Sequence, residues 1–102
     1  MTNDELKAAL AASPSPDRVT EAKIKDRIES AEYQRIGGGT LTVCVLTINN
    51  GFQVTGESAC ADPENYNKEI GQKIAFDNAF NKLWPLFGFL LKEAMFQRSI
   101  GN

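Results

Sequence analysis

The sequence contains no histidine. Histidine is the usual general base and a common metal ligand near neutral pH, so its absence excludes Ser-His-Asp and Cys-His groupings and histidine-containing zinc sites. Carboxylates, lysines, tyrosines and two cysteines are left for chemistry, and the expectation is no catalytic residue, no metal and no cofactor. Cysteine is scarce as well. Cys44 and Cys60 are expected as reduced packing thiols of a cytoplasmic protein. No apolar run is long enough to span a bilayer, and Met1-Thr2-Asn3-Asp4-Glu5 lacks the basic start and apolar stretch of a signal peptide, so no membrane partner is expected. A large excess of one charge is missing too. A formal net charge of -2 and a pI near 5.1 neither attract a DNA backbone nor imitate one, yet leave room for a local basic patch that holds a small anion.

What is present is enough for one core. A chain of 102 residues reads as a single domain whose modest burial favours self-association. The pattern predicts a helix over 3–12, capped by Asn3 with Asp4 and Glu5 in its first turn. Ser13-Pro14-Ser15-Pro16 cannot continue that helix, so residues 1–17 are expected as a helix and linker able to move relative to the rest. A second helix is expected over 20–30, capped by Thr20, with Ile24 and Ile28 on its buried side and Lys23 and Arg27 on another face.

A short strand over 33–36 then leads to Gly37-Gly38-Gly39, which reads as a hairpin loop. Phosphate-binding glycines sit between a strand and a helix, whereas these precede the β-rich segment 40–48. Asn49-Asn50-Gly51 is the clearest hairpin signal. A three-residue turn with Gly51 left-handed pairs Ile48 with Phe52, Leu46 with Val54, Cys44 with Gly56 and Thr42 with Ser58. A two-residue turn would mix polar and apolar positions on each face. In the favoured register Cys60 lies opposite Thr40, about 13 Å along the strand from Cys44, too far for a disulfide. Leu41, Val43 and Val45 form a second apolar face that should be covered, with Glu57 placed awkwardly upon it.

Asp62-Pro63-Glu64 reads as the start of a long helix bearing Tyr66, Ile70, Ile74, Phe80 and Leu83, with Asn78 and Asn81 as lesser polar candidates. Trp84-Pro85 is expected to kink it. Beyond the kink, apolar residues cover nearly the whole circumference, which predicts a subunit interface at Trp84, Phe87 and Leu91. The fold class is therefore α+β: an antiparallel hairpin or three-stranded sheet packed with N-terminal helices and a long, Pro-kinked C-terminal helix.

The run Leu46-Thr47-Ile48-Asn49-Asn50-Gly51-Phe52, Val54-Thr55-Gly56-Glu57-Ser58, Cys60-Ala61-Asp62-Pro63-Glu64-Asn65-Tyr66 and Ile70-Gly71 resembles a family of small tailed-phage accessory proteins. Ala75, Ala79, Leu83-Trp84-Pro85-Leu86 and Gly88 extend the likeness, which spans about residues 28–91. The family is similar to the one that includes the first type of Thoeris anti-defence protein. The resemblance implies a homo-oligomer, a dimer or a multiple of dimers, that sequesters a cyclic ADP-ribose isomer made by bacterial TIR-domain enzymes, or a cyclic oligonucleotide, without degrading it. By position in the motif it implies Phe52 or Tyr66 for stacking on adenine, Arg27 and Arg35 for pyrophosphate, and Glu57, Asp62 and Asn65 for hydroxyl or adenine contacts. Phe52 fits a core position equally well, and Asp62 a helix cap. Phe87-Gly88-Phe89 stands where many relatives carry an acidic residue and a tyrosine.

Three other readings compete. One is a protein-binding inhibitor of a host effector that uses the second sheet face. Another is a metal-dependent nucleotide hydrolase built on Glu57, Asp62 and Glu64. The last, a single-strand nucleic-acid binder, is disfavoured because the outward sheet positions are aliphatic or polar rather than aromatic.

Overall fold

The computed structural model describes residues 2–11, 15 and 17–101. Of the expected Ser13–Pro16 linker, all but Ser15 lies outside the described residues, as does Ala12 at the end of the first expected helix. The elements run α1 (Asn3–Ala11), α2 (Glu21–Arg27), β1 (Ile28–Ile36), β2 (Leu41–Ile48), β3 (Gln53–Ser58), a 3-10 turn (Pro63–Asn65), α3 (Lys68–Asn81) and α4 (Leu83–Ile100). This is the expected α+β class. The three strands form one antiparallel sheet in the order β1-β2-β3, with α3 lying across β2 and β3.

The β2–β3 hairpin has the register that its turn chemistry predicts. Leu46 faces Val54, Cys44 faces Gly56 and Thr42 faces Ser58. Ile48 N–H donates to the Phe52 carbonyl at 3.0 Å, and Gly51 takes a φ of 91° that closes the turn. Alternation along β2 then buries Thr42, Cys44, Leu46 and Ile48 against the helices and leaves Val43 and Val45 half-buried on the other face. Phe52 is 52% exposed at the turn and is not part of the core.

Three boundaries differ from the sequence expectation. The second helix stops at Arg27, because the chain from Ile28 onward is taken up as a nine-residue strand: Ile28 pairs with Ile48, and Ser30 through Ile36 pair with Thr47 through Leu41. Strand pairing over this length outweighs the helical spacing of Ile24 and Ile28. The helix expected from Asp62 is interrupted: Asp62 caps only the 3-10 turn, and α3 begins after Asn67, whose side chain accepts from Ile70 N–H at 3.2 Å. The kink falls at Lys82 rather than at Trp84-Pro85. Pro85 has no N–H to give to the carbonyl four residues back and its ring crowds that carbonyl, so the ladder breaks just after Asn81. A smaller difference is that Thr2, not Asn3, caps α1 through its hydroxyl, which accepts from Glu5 N–H.

The core joins Ile24 of α2, Cys44, Leu46 and Ile48 of β2, Ala75, Ala79 and Phe80 of α3, and Leu83 and Phe87 of α4. Its tightest point is Gly56. A methyl group placed there would lie 2.1 Å from the Ala79 nitrogen and 2.3 Å from the Ala75 carbonyl oxygen, so strand and helix backbones meet with no side chain between them. Ile70 and Ile74, expected in the core, are instead exposed, because α3 turns its small residues toward the sheet. Phe76 stacks on Phe80, and Phe80 meets Trp84 edge to face, which carries the packing across the kink.

Two outcomes follow from this packing. Gly56→Ala should lower unfolding free energy by about 3 kcal/mol or more, measured by urea titration, because the obstructing atoms are backbone. A loss below about 1 kcal/mol would mean that α3 can lift off the sheet at little cost. Cys44 is buried, and burial pushes its thiol pKa up, whereas Cys60 is partly exposed. Iodoacetamide should therefore modify Cys60 alone in the native protein and both thiols after unfolding; native modification of Cys44 would contradict the packing.

Candidate functional site

Strand register places Arg35, Thr42 and Ser58 in one row across the sheet, all on the face turned toward the helices. Above this row the chain passes from the 3-10 turn into α3. Tyr66 is held there between the two helical segments, and its ring lies under the Arg35 guanidinium at 4.1 Å. Arg35 Nε donates to the Gly39 carbonyl, so the glycine loop positions the cation. Ser58 donates to the Gly71 carbonyl at 2.9 Å, tying β3 to the first turn of α3.

Tyr66 separates two clefts. The larger, about 500 Å³, runs between the β3 edge and α3, and Glu57, Ser58, Asn65, Ile70, Ile74 and Asn78 contribute to its walls. This volume falls in the range of small-ligand pockets, and the two isoleucines give it the apolar floor such pockets usually have. Asn78 donates from its side-chain amide to the Glu57 carbonyl at 2.8 Å. The smaller cleft, about 360 Å³, is lined by Tyr33, Arg35, Thr42, Lys68 and Gln72, with Tyr66 shared between the two. Arg35 and Lys68 make it cationic, whereas the larger cleft meets Glu57 through its backbone, the carboxylate lying with the Thr55 hydroxyl on the outer sheet face. A planar group stacked beside Tyr66 would therefore find positive charge on one side and the Asn65 and Asn78 amides on the other.

The Thr42 hydroxyl is buried beneath this junction without a hydrogen-bond partner among the described residues. Tyr33 stands beside Cys44 in the neighbouring row; burial first, and the Cys44 thiol second, raise its phenol pKa.

Of the seven residues expected to bind a ligand, the fold brings the side chains of Arg35, Asn65 and Tyr66 around these clefts, while Glu57 reaches the larger one with its backbone and turns its carboxylate toward Thr55 on the outer face. Arg27 is elsewhere. It ends α2, and the extended strand from Ile28 to Ile36 separates it from Arg35 by about 25 Å at the usual rise per residue. The two arginines of one chain therefore cannot grip one pyrophosphate. Phe52 lies at the opposite end of β3 from Ser58, about 20 Å away on the same measure. Asp62 directs its carboxylate to Glu64 N–H at 3.0 Å, the capping role that its position next to Pro63 allows.

Among the residues expected at an interface, Phe87 is buried within the chain and Leu91 is half-buried, while Trp84 is 37% exposed. Besides Trp84, α4 exposes Leu86, Phe89, Leu90, Phe96 and Ile100, and the spacing of Phe89, Phe96 and Ile100 puts those three together on the side of the helix away from Phe87. Among the described residues no three Cys, Asp or Glu side chains converge as a metal ion requires, so Glu57, Asp62 and Glu64 form no such centre. No helix among them is long and apolar enough to cross a membrane.

Sequence reading missed Thr42, Lys68, Gln72 and the isoleucine floor. The Thr42–Ser58 pairing was visible in the hairpin register; Ile70 and Ile74 were hidden by a spacing that suits a buried stripe equally well. Thr42→Val replaces the unpartnered hydroxyl by a methyl group of similar size and should raise stability by about 1 kcal/mol in a denaturant titration. A loss of similar size would mean that the hydroxyl is hydrogen-bonded in solution.

The phage protein family described as N4 Gp49/phage Sf6 gene 66 matches residues 19–95. No curated protein and no solved structure matches the chain.

Proposed function

The chain belongs to the N4 Gp49/phage Sf6 gene 66 family of phage proteins, and from that membership and the clefts around Tyr66 we propose that it is an immune-evasion protein that captures a cyclic nucleotide signal without cleaving it. The observation that carries this reading is the Arg35–Tyr66 pair at the junction of the two clefts. Tyr66 offers a face for a purine, Arg35 and Lys68 offer donors to a pyrophosphate, and Asn65 and Asn78 line the larger cleft where ribose hydroxyls or base edges would lie. A cyclic ADP-ribose isomer has all three parts, and a cyclic oligonucleotide is the nearest alternative ligand.

Sequestration asks only for affinity. The chain has no histidine, and the carboxylates near the cleft are not gathered into a metal-binding group among the described residues, which supports capture over hydrolysis. The same proposal includes self-association through the α4 face of Phe89, Phe96 and Ile100.

Calorimetric titration with cyclic ADP-ribose isomers, cyclic dinucleotides and cyclic trinucleotides tests the reading, followed by heat release and chromatography of the ligand. One of them should bind and be recovered intact, and Tyr66→Ala or Arg35→Ala should each weaken binding about tenfold or more. A cleaved product would make the protein an enzyme. Absence of binding to every compound would favour the second reading, a protein-binding inhibitor, for which the half-buried Val43 and Val45 with exposed Leu41 and Ile36 on the outer sheet face are the relevant surface.

A further inference from the structure

A second concave site lies where α2 meets α4. Arg18, Lys23 and Arg27 surround a hollow of about 230 Å³ whose apolar wall is Val19, Phe87 and Leu91. Three cations share this space. No carboxylate pairs with any of them among the described residues: the ion pairs present are Lys25 with Glu21, Lys73 with Asp77 and Arg98 with Asp17. Asp17, which immediately precedes Arg18, is thus already engaged by Arg98 at 3.0 Å. In a chain of net negative charge, gathering three like charges around one hollow is unfavourable until an anion enters it.

The cations are also held in place. Arg27 donates from Nε to the Asn49 side chain at 2.8 Å and lies over the Phe87 ring at 5.4 Å, which fixes its plane and leaves its two terminal nitrogens without a hydrogen-bond partner among the described residues. Lys23 Nζ donates to the Arg18 carbonyl at 2.9 Å, drawing the lysine toward the segment that carries Arg18. A fork-shaped donor, a point charge and a second guanidinium suit the several oxygens of a phosphate. The apolar wall suits a carbon group attached to it.

We propose that this hollow is an independent binding site for a small phosphate monoester bearing one aromatic ring or short aliphatic chain. Its volume is less than half that of the cleft beside Tyr66, so it selects a smaller ligand. The two sites are separated along β2 by the span from Ile48, which pairs with Ile28, to Thr42, which pairs with Arg35: about 20 Å by strand rise. This proposal does not rest on the cyclic nucleotide reading.

The test is titration of the full chain with phenyl phosphate, inorganic phosphate and phenol, followed by calorimetry and amide NMR shifts. Phenyl phosphate should bind saturably, about tenfold more tightly than inorganic phosphate, with shifts centred on Lys23, Arg27 and Leu91. Lys23→Gln, an exposed position that should not disturb folding, is expected to weaken it about tenfold, and Arg27→Lys to do so by losing the fork. Arg35→Gln should change it less than about twofold. Absence of saturable binding, equal affinity for inorganic phosphate, indifference to Lys23→Gln, or an equal loss in Arg35→Gln would each overturn the assignment. Failure of cyclic nucleotides to bind beside Tyr66 would leave these outcomes unaffected.

Discussion

The rest of the molecule depends on the contact of Gly56 with the backbone of α3 at Ala75 and Ala79. It sets the distance between helix and sheet at the smallest value that backbones permit, and it fixes which side of the helix faces inward. Once Ala75 and Ala79 are inward, Ile70 and Ile74 must lie toward the side, along the free edge of β3, and the larger cleft takes its floor from them. The first turn of α3 is then brought over the row of Arg35, Thr42 and Ser58, and Tyr66, just ahead of that turn, reaches the arginine. Small residues at three positions thus locate a site made largely from other side chains.

The second constraint is the break before α4. Because Pro85 cannot complete the ladder to the preceding helix, the chain starts afresh at Leu83 and turns Leu83 and Phe87 back onto the core, where Phe87 meets the end of α2. The basic hollow depends on this packing: Arg18, Lys23 and Arg27 precede the sheet in sequence, and Phe87 and Leu91 of α4 supply most of their apolar wall. Arg98, further along the same helix, reaches Asp17 and closes the path from the segment before α2 to the last helix. The two candidate sites therefore answer to different parts of the sequence, one to glycine and alanine spacing and the other to a proline.

Local chemistry was the legible part. Asn49-Asn50-Gly51 specifies its own turn, and the turn specifies the register of the strands beside it, so the pairing of Cys44 with Gly56 and of Thr42 with Ser58 could be read directly. Glu57, Asn65 and Tyr66 come together because little chain separates them. Choices decided by competition were not legible in the same way. The Ile28–Ile36 segment has enough helical spacing at its start to suggest a longer α2, and only its partner strand decides against it; that decision moves Arg27 and Arg35 to opposite ends of β1. Asp62-Pro63 and Asn67 are both sound helix starts, and the close fit of α3 to the sheet is satisfied by the second. Ile70 and Ile74 outrank alanine in hydrophobicity, yet the bare backbone at Gly56 admits only the alanines.

The hydrogen bond from Asn78 to Glu57 has a consequence for how the molecule behaves in crowded solution. Since Ile48 and Phe52 form a hydrogen-bonded pair, alternation along the hairpin turns the Glu57 carbonyl to the outer edge of β3, where another chain could add a strand. The Asn78 amide occupies that carbonyl from the helix side and interrupts the row of acceptors. At the opposite edge β1 is longer, and Glu29, Glu32 and Arg35 place charged side chains along it. An incoming strand would thus meet different obstacles at the two margins of the sheet, an acceptor already occupied by Asn78 on one and charged side chains on the other.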